Sequence, residues 1–230
     1  MLVPFGRGLW TDEGPVAPAL AGFVYPTRMA VAQLADGSLW VWSPTPMTDK
    51  MRREVDRLGE VRALVSPNHF HERWMAEWAQ VYPQAELYMA PGMARRHPDL
   101  PRNHELSADP PPLWAGQIDQ VPVPGNIYTT EVLFFHRLSR TVLVADLMQQ
   151  LPAGWFGGWR EQIARLDGIL GEEPRVPWRF RLSFMDRKAA RCAVTDVLDW
   201  RADQLLMAHG PLISQGARGL LHRSFAWLMD

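Results

Sequence analysis

A largely apolar run followed by two closely spaced histidines constrains this chain more than any other feature of its sequence. Residues 61–65 (VRALV) are typical of a short buried strand, and Ser66-Pro67 ends it, because proline lacks the N–H that a strand ladder needs. His69 and His71 follow in a loop, and the segment after them has helical spacing. A strand that delivers imidazoles into a loop before a helix is a common setting for a metal site or an acid–base site.

The composition predicts a soluble globular protein. Of the 230 residues, 47% are apolar and 21% are charged, which argues against disorder, and the net charge of −1 gives no reason to expect nucleic acid or an anionic membrane as a partner. The single cysteine excludes an internal disulfide framework and fits a reducing compartment. Neither a secretory signal nor an apolar stretch of the ~20 residues that cross a bilayer is apparent. We therefore expect one domain, residues 1–230, in the cytoplasm.

The order of predicted elements favours two sheets flanked by helices. Two β-rich runs around Asp36-Gly37 are a strong hairpin signal, and residues 48–59 have the capping residues of a helix. The proline-rich residues 97–114 predict an irregular loop or a lid. Further strands are expected at 61–65, 86–89, 118–123, 131–136, 141–144 and 205–207, and further helices at 155–170, 189–198 and 217–227.

Three predicted strand ends carry side chains that bind metals. These are the His69/His71 loop, Asp146 and His209, and sites in α/β proteins lie beyond the C-terminal ends of strands. Imidazole and carboxylate suit zinc, which in catalytic sites keeps three protein ligands and an open position. Ordinary alternatives are a solvated loop histidine, a capping aspartate and a buried histidine bonded to backbone. The chain has no GxSxG, GxGxxG or Walker-type motif, which disfavours serine hydrolases of that type and nucleotide-binding enzymes.

These motifs resemble the metallo-β-lactamase superfamily, whose sites read HxHxDH, then a histidine often in a Pro-Gly-His turn, then an aspartate and a last histidine. More narrowly, the chain is similar to an uncharacterised branch of that superfamily, with no established function, over nearly its whole length. The phrases that carry this likeness are DGSLWVWSP, LGEVRALVSPN, AEWAQVYPQAELYMAPG, FFHRLSRTVLVADL and LMAHGPLI. The resemblance implies an α/β (α+β) fold, an αββα sandwich of two mixed β-sheets flanked by helices, with the site along one edge.

The resemblance also implies a metal-dependent hydrolase. His69, His71, Asp146 and His209 match superfamily ligands and would hold one divalent transition metal, with zinc the expected ion. The metal would lower the pKa of a water for attack on an ester, thioester, lactone or amide carbonyl of a small-molecule substrate. His71, Asp146 and His209 would then serve catalysis directly, and Glu72 is a further carboxylate that could ligate or act as a base.

Three departures from the superfamily pattern favour a reduced site. Arg73, Trp74 and Asn126 stand where the superfamily has aspartate, histidine and histidine. Loss of the aspartate removes a ligand of a second metal, so a mononuclear site is expected. Arg73 could turn away, or pair with Asp146 and substitute for the metal charge. The alternative function is a metal-free module that keeps the fold and binds a small molecule or a partner.

Overall fold

The computed structural model of the protein describes residues 1–93, 95 and 103–229. Within them, no helix combines the length and apolar character needed to cross a membrane. The strands are β1 (Val3–Gly6), β2 (Leu9–Pro18), β3 (Val24–Gln33), β4 (Leu39–Trp42), β5 (Val61–Ser66), β6 (Glu86–Met89), β7 (Asn103–Glu105), β8 (Ile118–Val123), β9 (Glu131–His136), β10 (Thr141–Val144) and β11 (Gln204–Met207). The helices are α1 (Asp49–Leu58), α2 (Met75–Val81), α3 (Trp159–Leu166), α4 (Trp178–Leu182), α5 (Arg187–Asp199) and α6 (Ala217–Met229).

The strands form two mixed sheets. The first sheet has the order β1-β2-β3-β4-β5-β6-β7, antiparallel from β1 to β4 and parallel from β4 to β7. The second has the order β11-β10-β9-β8, in which only β10 and β11 are parallel. Helices α1 and α2 contribute to the apolar cluster of the first sheet, and α5 and α6 to that of the second. The predicted αββα sandwich is confirmed.

The strands β9, β10 and β11 of the second sheet are largely apolar because both of their faces are buried. In β9, Val132 and Phe134 join the core shared with the first sheet, whereas Leu133 and Phe135 pack in the core formed with α5 and α6. The same alternation runs through β10 and β11. Successive side chains of a strand point to opposite faces, so a continuous apolar run suits a strand enclosed between two layers.

Residues 103–114 differ from the predicted irregular excursion. The segment Asn103–Glu105 forms β7, which pairs with β6 and extends the first sheet. Leu106 and Trp114 are buried in the main core. The prolines at 110–112 disrupt periodicity, but the two large apolar side chains around them anchor the segment. Residues 97–102, including His97, lie outside the described part of the chain.

The helix predicted over 155–170 is shorter than expected, and the apolar residues that were expected to pack are largely exposed. It comprises Trp159–Leu166, and its tryptophan and leucine ends are 52% and 76% exposed. Gly158, with φ 61°, precedes the helix, and Gly168 follows it. Ala164 is its buried residue, so the apolar spacing identified a helix but not the face that packs.

His136 should make the protein less stable in mild acid. Burial lowers its pKa from 6.5 to about 4. The unfolded chain then binds more protons than the native protein between these two pH values, so stability falls as pH drops through that window. The expected loss is about 3 kcal/mol at 1.36 kcal/mol per pH unit. Urea denaturation at pH 7 and pH 4 should show a smaller pH-dependent difference for His136→Gln. The exposed His222 provides the control substitution, His222→Gln, which should leave the difference unchanged.

Candidate metal centre

The parallel pairing of β10 and β11 places Asp146 and His209 side by side. Val144 lies opposite Met207 in the register, and each of the two site residues follows two positions later. The end of β5 in the first sheet supplies the loop that carries His71. Strand ends from both sheets therefore converge at one edge of the sandwich, as the sequence predicted.

His71, Asp146 and His209 form a compact, buried cluster. One ligand atom from each lies within 4.8 Å of the others. The Nε2 atom of His71 is 3.2 Å from Asp146 Oδ2, and the Nε2 atom of His209 is 3.3 Å from Asp146 Oδ1. Tetrahedral ligands at zinc–ligand bond lengths of about 2.0–2.1 Å would be separated by about 3.3 Å. Each imidazole nitrogen therefore lies at a ligand-like separation from one oxygen of Asp146, and the three side chains are close enough together to hold one ion.

The hydrogen bond between His209 Nδ1 and the Pro26 carbonyl determines the tautomer of the neutral His209 ring. Its Nδ1 atom is 2.7 Å from the carbonyl oxygen of Pro26, which can only accept, so Nδ1 carries a hydrogen. In a neutral ring, Nε2 then presents a lone pair to Asp146 Oδ1. Two acceptors 3.3 Å apart repel each other unless a cation lies between them or His209 gains a second proton. The geometry therefore calls for a positive charge here.

His71 is oriented by residues at the end of β4. Its Nδ1 atom is 2.7 Å from the hydroxyl of Ser43, and its ring stacks on Trp42 with centroids 6.1 Å apart. Ser43 has a positive φ of 50°, an uncommon conformation for serine. Because a hydroxyl can donate or accept, either tautomer of His71 is compatible with this contact. Both imidazoles are thus held from behind, with Nε2 towards the carboxylate.

Two buried residues that sequence reasoning missed hold Asp146 in place. Glu131 accepts hydrogen bonds from the backbone N–H groups of Ala145, Asp146 and Leu147. The amide nitrogen of Asn68 donates to both carboxylates, at 3.1 Å to Glu131 and 2.8 Å to Asp146. The signal was a carboxylate at the start of an otherwise apolar strand, since such a group needs several donors.

The environment shifts the pKa values of Glu131 and Asp146 in opposite directions. Burial, together with the negative charge of Asp146, raises the pKa of Glu131 to about 8 despite its backbone donors. Burial also opposes ionisation of Asp146, but the facing His71 and His209 hold the pKa of Asp146 well below its ordinary value. Asp146 is therefore the ionised carboxylate of the cluster.

The remaining residues singled out from the sequence have other positions. His69 and Glu72 line the adjacent cavity and are not in the three-residue cluster found among the described residues. The cluster contains three of the four predicted metal ligands, and Asn68 of the same loop donates to Asp146. Arg73 donates to the carbonyl of Pro18, 3.2 Å away, so the suggested pairing with Asp146 is not what the structure shows.

Asn126 has a structural role. Its amide nitrogen donates to the carbonyl of Phe180 and the hydroxyl of Ser183, and its oxygen accepts from the N–H of Tyr128. These bonds attach the turn to the segment that contains α4. The bond from Tyr128 stabilises the turn itself, and the two bonds from the amide nitrogen hold the turn against the rest of the protein.

A cavity of about 710 Å³ opens beside the cluster and includes all three of its residues. Its volume is in the range of small-molecule sites. Much of the wall is apolar or aromatic, formed by Pro18, Leu20, Phe23, Phe70, Tyr128 and Phe180. A ligand in this cavity would reach the three side chains directly.

Comparison with known proteins agrees with this architecture. The family model described as domain of unknown function (DUF4336) matches residues 17–157. No curated protein matches the chain. Among solved structures, DIM-1 metallo-β-lactamase is 12% identical, with a TM-score of 0.65 over 100% of this chain and 96% of that one.

Two further structures show the same fold. A metallo-β-lactamase from Pontibacter korlensis is 11% identical, with a TM-score of 0.64 over 100% of this chain and 99% of that one. The Flv1 flavodiiron core from Synechocystis sp. PCC6803 is 13% identical, with a TM-score of 0.64, and the match covers 100% of this chain but 61% of that core. At these identities the likeness establishes the fold, and activity has to be argued from the site.

Proposed function

We propose that this chain, which belongs to the DUF4336 family of domains of unknown function, is a metal-dependent hydrolase with a single-metal centre. The proposal is based on the geometry of its site. His71, Asp146 and His209 would hold the ion, with zinc the expected metal. The observation that carries the proposal is the 3.3 Å separation of His209 Nε2 and Asp146 Oδ1, which face each other as two acceptors when the His209 ring is neutral. A divalent cation between them would turn this repulsion into attraction.

The chain's own residues would prepare the reaction. A bound divalent metal supplies a water of lowered pKa and polarises a carbonyl group, which suits hydrolysis of an ester, thioester or lactone. Ser43 and the Pro26 carbonyl keep the two imidazoles oriented. Asn68 and Glu131 fix the carboxylate, and the apolar cavity wall limits the access of bulk water to the substrate.

Two neighbouring histidines provide the test. Protein stripped with a chelator and reloaded with zinc should bind one ion per chain and hydrolyse members of an ester, thioester and lactone panel. His71→Ala should lose both properties, whereas His69→Ala should keep zinc and most of the activity, because His69 lies outside the cluster. Protein grown with ample metal that binds no transition metal and hydrolyses nothing would overturn the proposal.

A metal-free binding module is the second candidate function. The amide of Asn68 already donates to Asp146 at 2.8 Å, and a doubly protonated His209 would supply the required positive charge. A cluster satisfied in this way needs no ion. Binding of small molecules by chelator-treated protein, unchanged by zinc, would favour this alternative.

Arg28 should influence metal affinity without contacting the metal. Its guanidinium donates to the carbonyls of Met207 and Gly210, on either side of His209, and pairs with Glu13. Lysine cannot make both carbonyl contacts with the same geometry, so Arg28→Lys should weaken zinc binding by about 10–100-fold. Competition titration with a zinc indicator measures the loss. The exposed Arg223, paired with Glu173, offers the control substitution Arg223→Lys, which should have no effect.

A further inference from the structure

We propose that the substrate carries a long apolar acyl chain, which lies in the 710 Å³ cavity while its carbonyl group lies at the His71–Asp146–His209 cluster. This inference rests on the proposed hydrolase function and names the class of its substrate. Three features support it: the apolar character of the cavity wall, the contacts of the two arginines on that wall, and the continuity between the wall and the cluster.

The cavity wall is suited to an apolar chain. Phe23 packs edge-on against Phe156 with centroids 5.0 Å apart, and Tyr128 packs edge-on against Phe180 at 5.9 Å. These contacts fix the rings on the wall, so an incoming chain meets a preformed surface. Burial of each methylene group there would favour binding by about fourfold.

The cationic residues of the wall are already engaged. Arg179 donates to the Tyr25 hydroxyl at 2.6 Å and forms an ion pair with Asp167 at 3.0 Å. Arg73 donates to the carbonyl of Pro18 and lies over the Trp74 ring. A polyanionic substrate such as a phosphate ester would have to compete with the Asp167 carboxylate for Arg179, whereas an apolar chain leaves this ion pair intact.

The apolar wall begins directly at the cluster. The ring of Tyr25 lies 5.3 Å from the ring of His209, and it also packs against Phe156 at 5.6 Å. A carbonyl carbon at the cluster would therefore have aromatic surface immediately beside its substituent. This continuity favours an apolar group attached directly to the carbonyl, which is the acyl chain.

Two series of measurements test the proposal on the zinc-loaded protein. The first is kcat/KM for p-nitrophenyl esters with acyl chains of increasing length from acetyl to decanoyl, which should rise about fourfold per methylene until the cavity is filled. The second is the affinity of straight-chain alcohols from butanol to decanol, followed by tryptophan fluorescence. It should rise by a similar factor and does not depend on catalysis.

Substitutions at half-exposed residues of the cavity wall test whether the dependence on chain length arises in this cavity. Phe70→Ala and Tyr128→Ala remove side chains that line the cavity and are 51% and 50% exposed, so both should flatten the dependence on chain length. Leu138 is similarly exposed, at 52%, and does not line the cavity, so Leu138→Ala should match the wild type.

The outcomes separate this inference from the proposed function. Hydrolysis that is flat or falls with acyl length, together with alcohol affinity independent of length, would overturn the inference and leave the hydrolase standing. Chain-length dependence for the alcohols without hydrolysis of any ester would retain the apolar ligand and remove the hydrolase.

Discussion

Asp146→Asn should reduce zinc affinity more than about 100-fold and abolish hydrolysis. Asp146 contributes the negative charge of the cluster, and both imidazoles face its carboxylate at 3.2 and 3.3 Å. Loss of a residue behind a ligand typically costs 10–100-fold in metal affinity, so loss of the anionic ligand itself should exceed that range. The amide has nearly the same shape, so the fold should persist. Equilibrium zinc titration measures the affinity, and circular dichroism checks the fold.

A surface aspartate provides the control for this substitution. Asp119 forms an ion pair with Arg137 at the surface, and Asp119→Asn should leave zinc affinity and hydrolysis unchanged. Wild-type zinc affinity in Asp146→Asn would show that the carboxylate is not a ligand. The account of the centre would then fail, even if some hydrolysis remained.

Glu131→Ala should lower the free energy of unfolding by about 3 kcal/mol or more. The side chain is fully buried and accepts hydrogen bonds from three consecutive backbone N–H groups and from Asn68. Each buried donor left without an acceptor costs about 1–3 kcal/mol, and the substitution removes the acceptor of four donors. Urea denaturation of the metal-free protein measures the difference.

An exposed glutamate separates this effect from a general loss of charge. Glu60→Ala should change stability by less than about 0.5 kcal/mol, because its side chain is exposed. Glu131→Gln keeps one carbonyl acceptor and should lose less stability than Glu131→Ala. Equal, small effects of all three substitutions would mean that Glu131 does not hold the Asp146 loop.

Much of the fold could be predicted because its signals are local. The hairpin around Gly37 and the helix after Thr48 depend on turn and capping residues, and the structure has both elements there. The sequence does not show how closely the hairpin turn packs against the end of the helix. The two backbones approach so closely that a Cβ atom at Gly59 would lie 2.2 Å from the Gly37 carbonyl oxygen. The strands β9, β10 and β11 were visible as apolar runs because both of their faces are buried.

The site could be predicted in part because parallel strands end at the same edge. Asp146 and His209 follow paired strands at equivalent positions, and their proximity is a consequence of register. The loop after β5 follows no such rule, so the sequence could not show that Asn68 contacts Asp146. The exposed face of α3 was also not predictable, because helical spacing does not show which layer covers a helix.

Anomalous diffraction at the zinc edge, from crystals of zinc-loaded protein, tests the central claim most directly. The account predicts one peak per chain about 2.0–2.2 Å from the Nε2 atoms of His71 and His209 and from a carboxylate oxygen of Asp146. A map with no peak among these three side chains, at a zinc concentration that saturates solution binding, would contradict it.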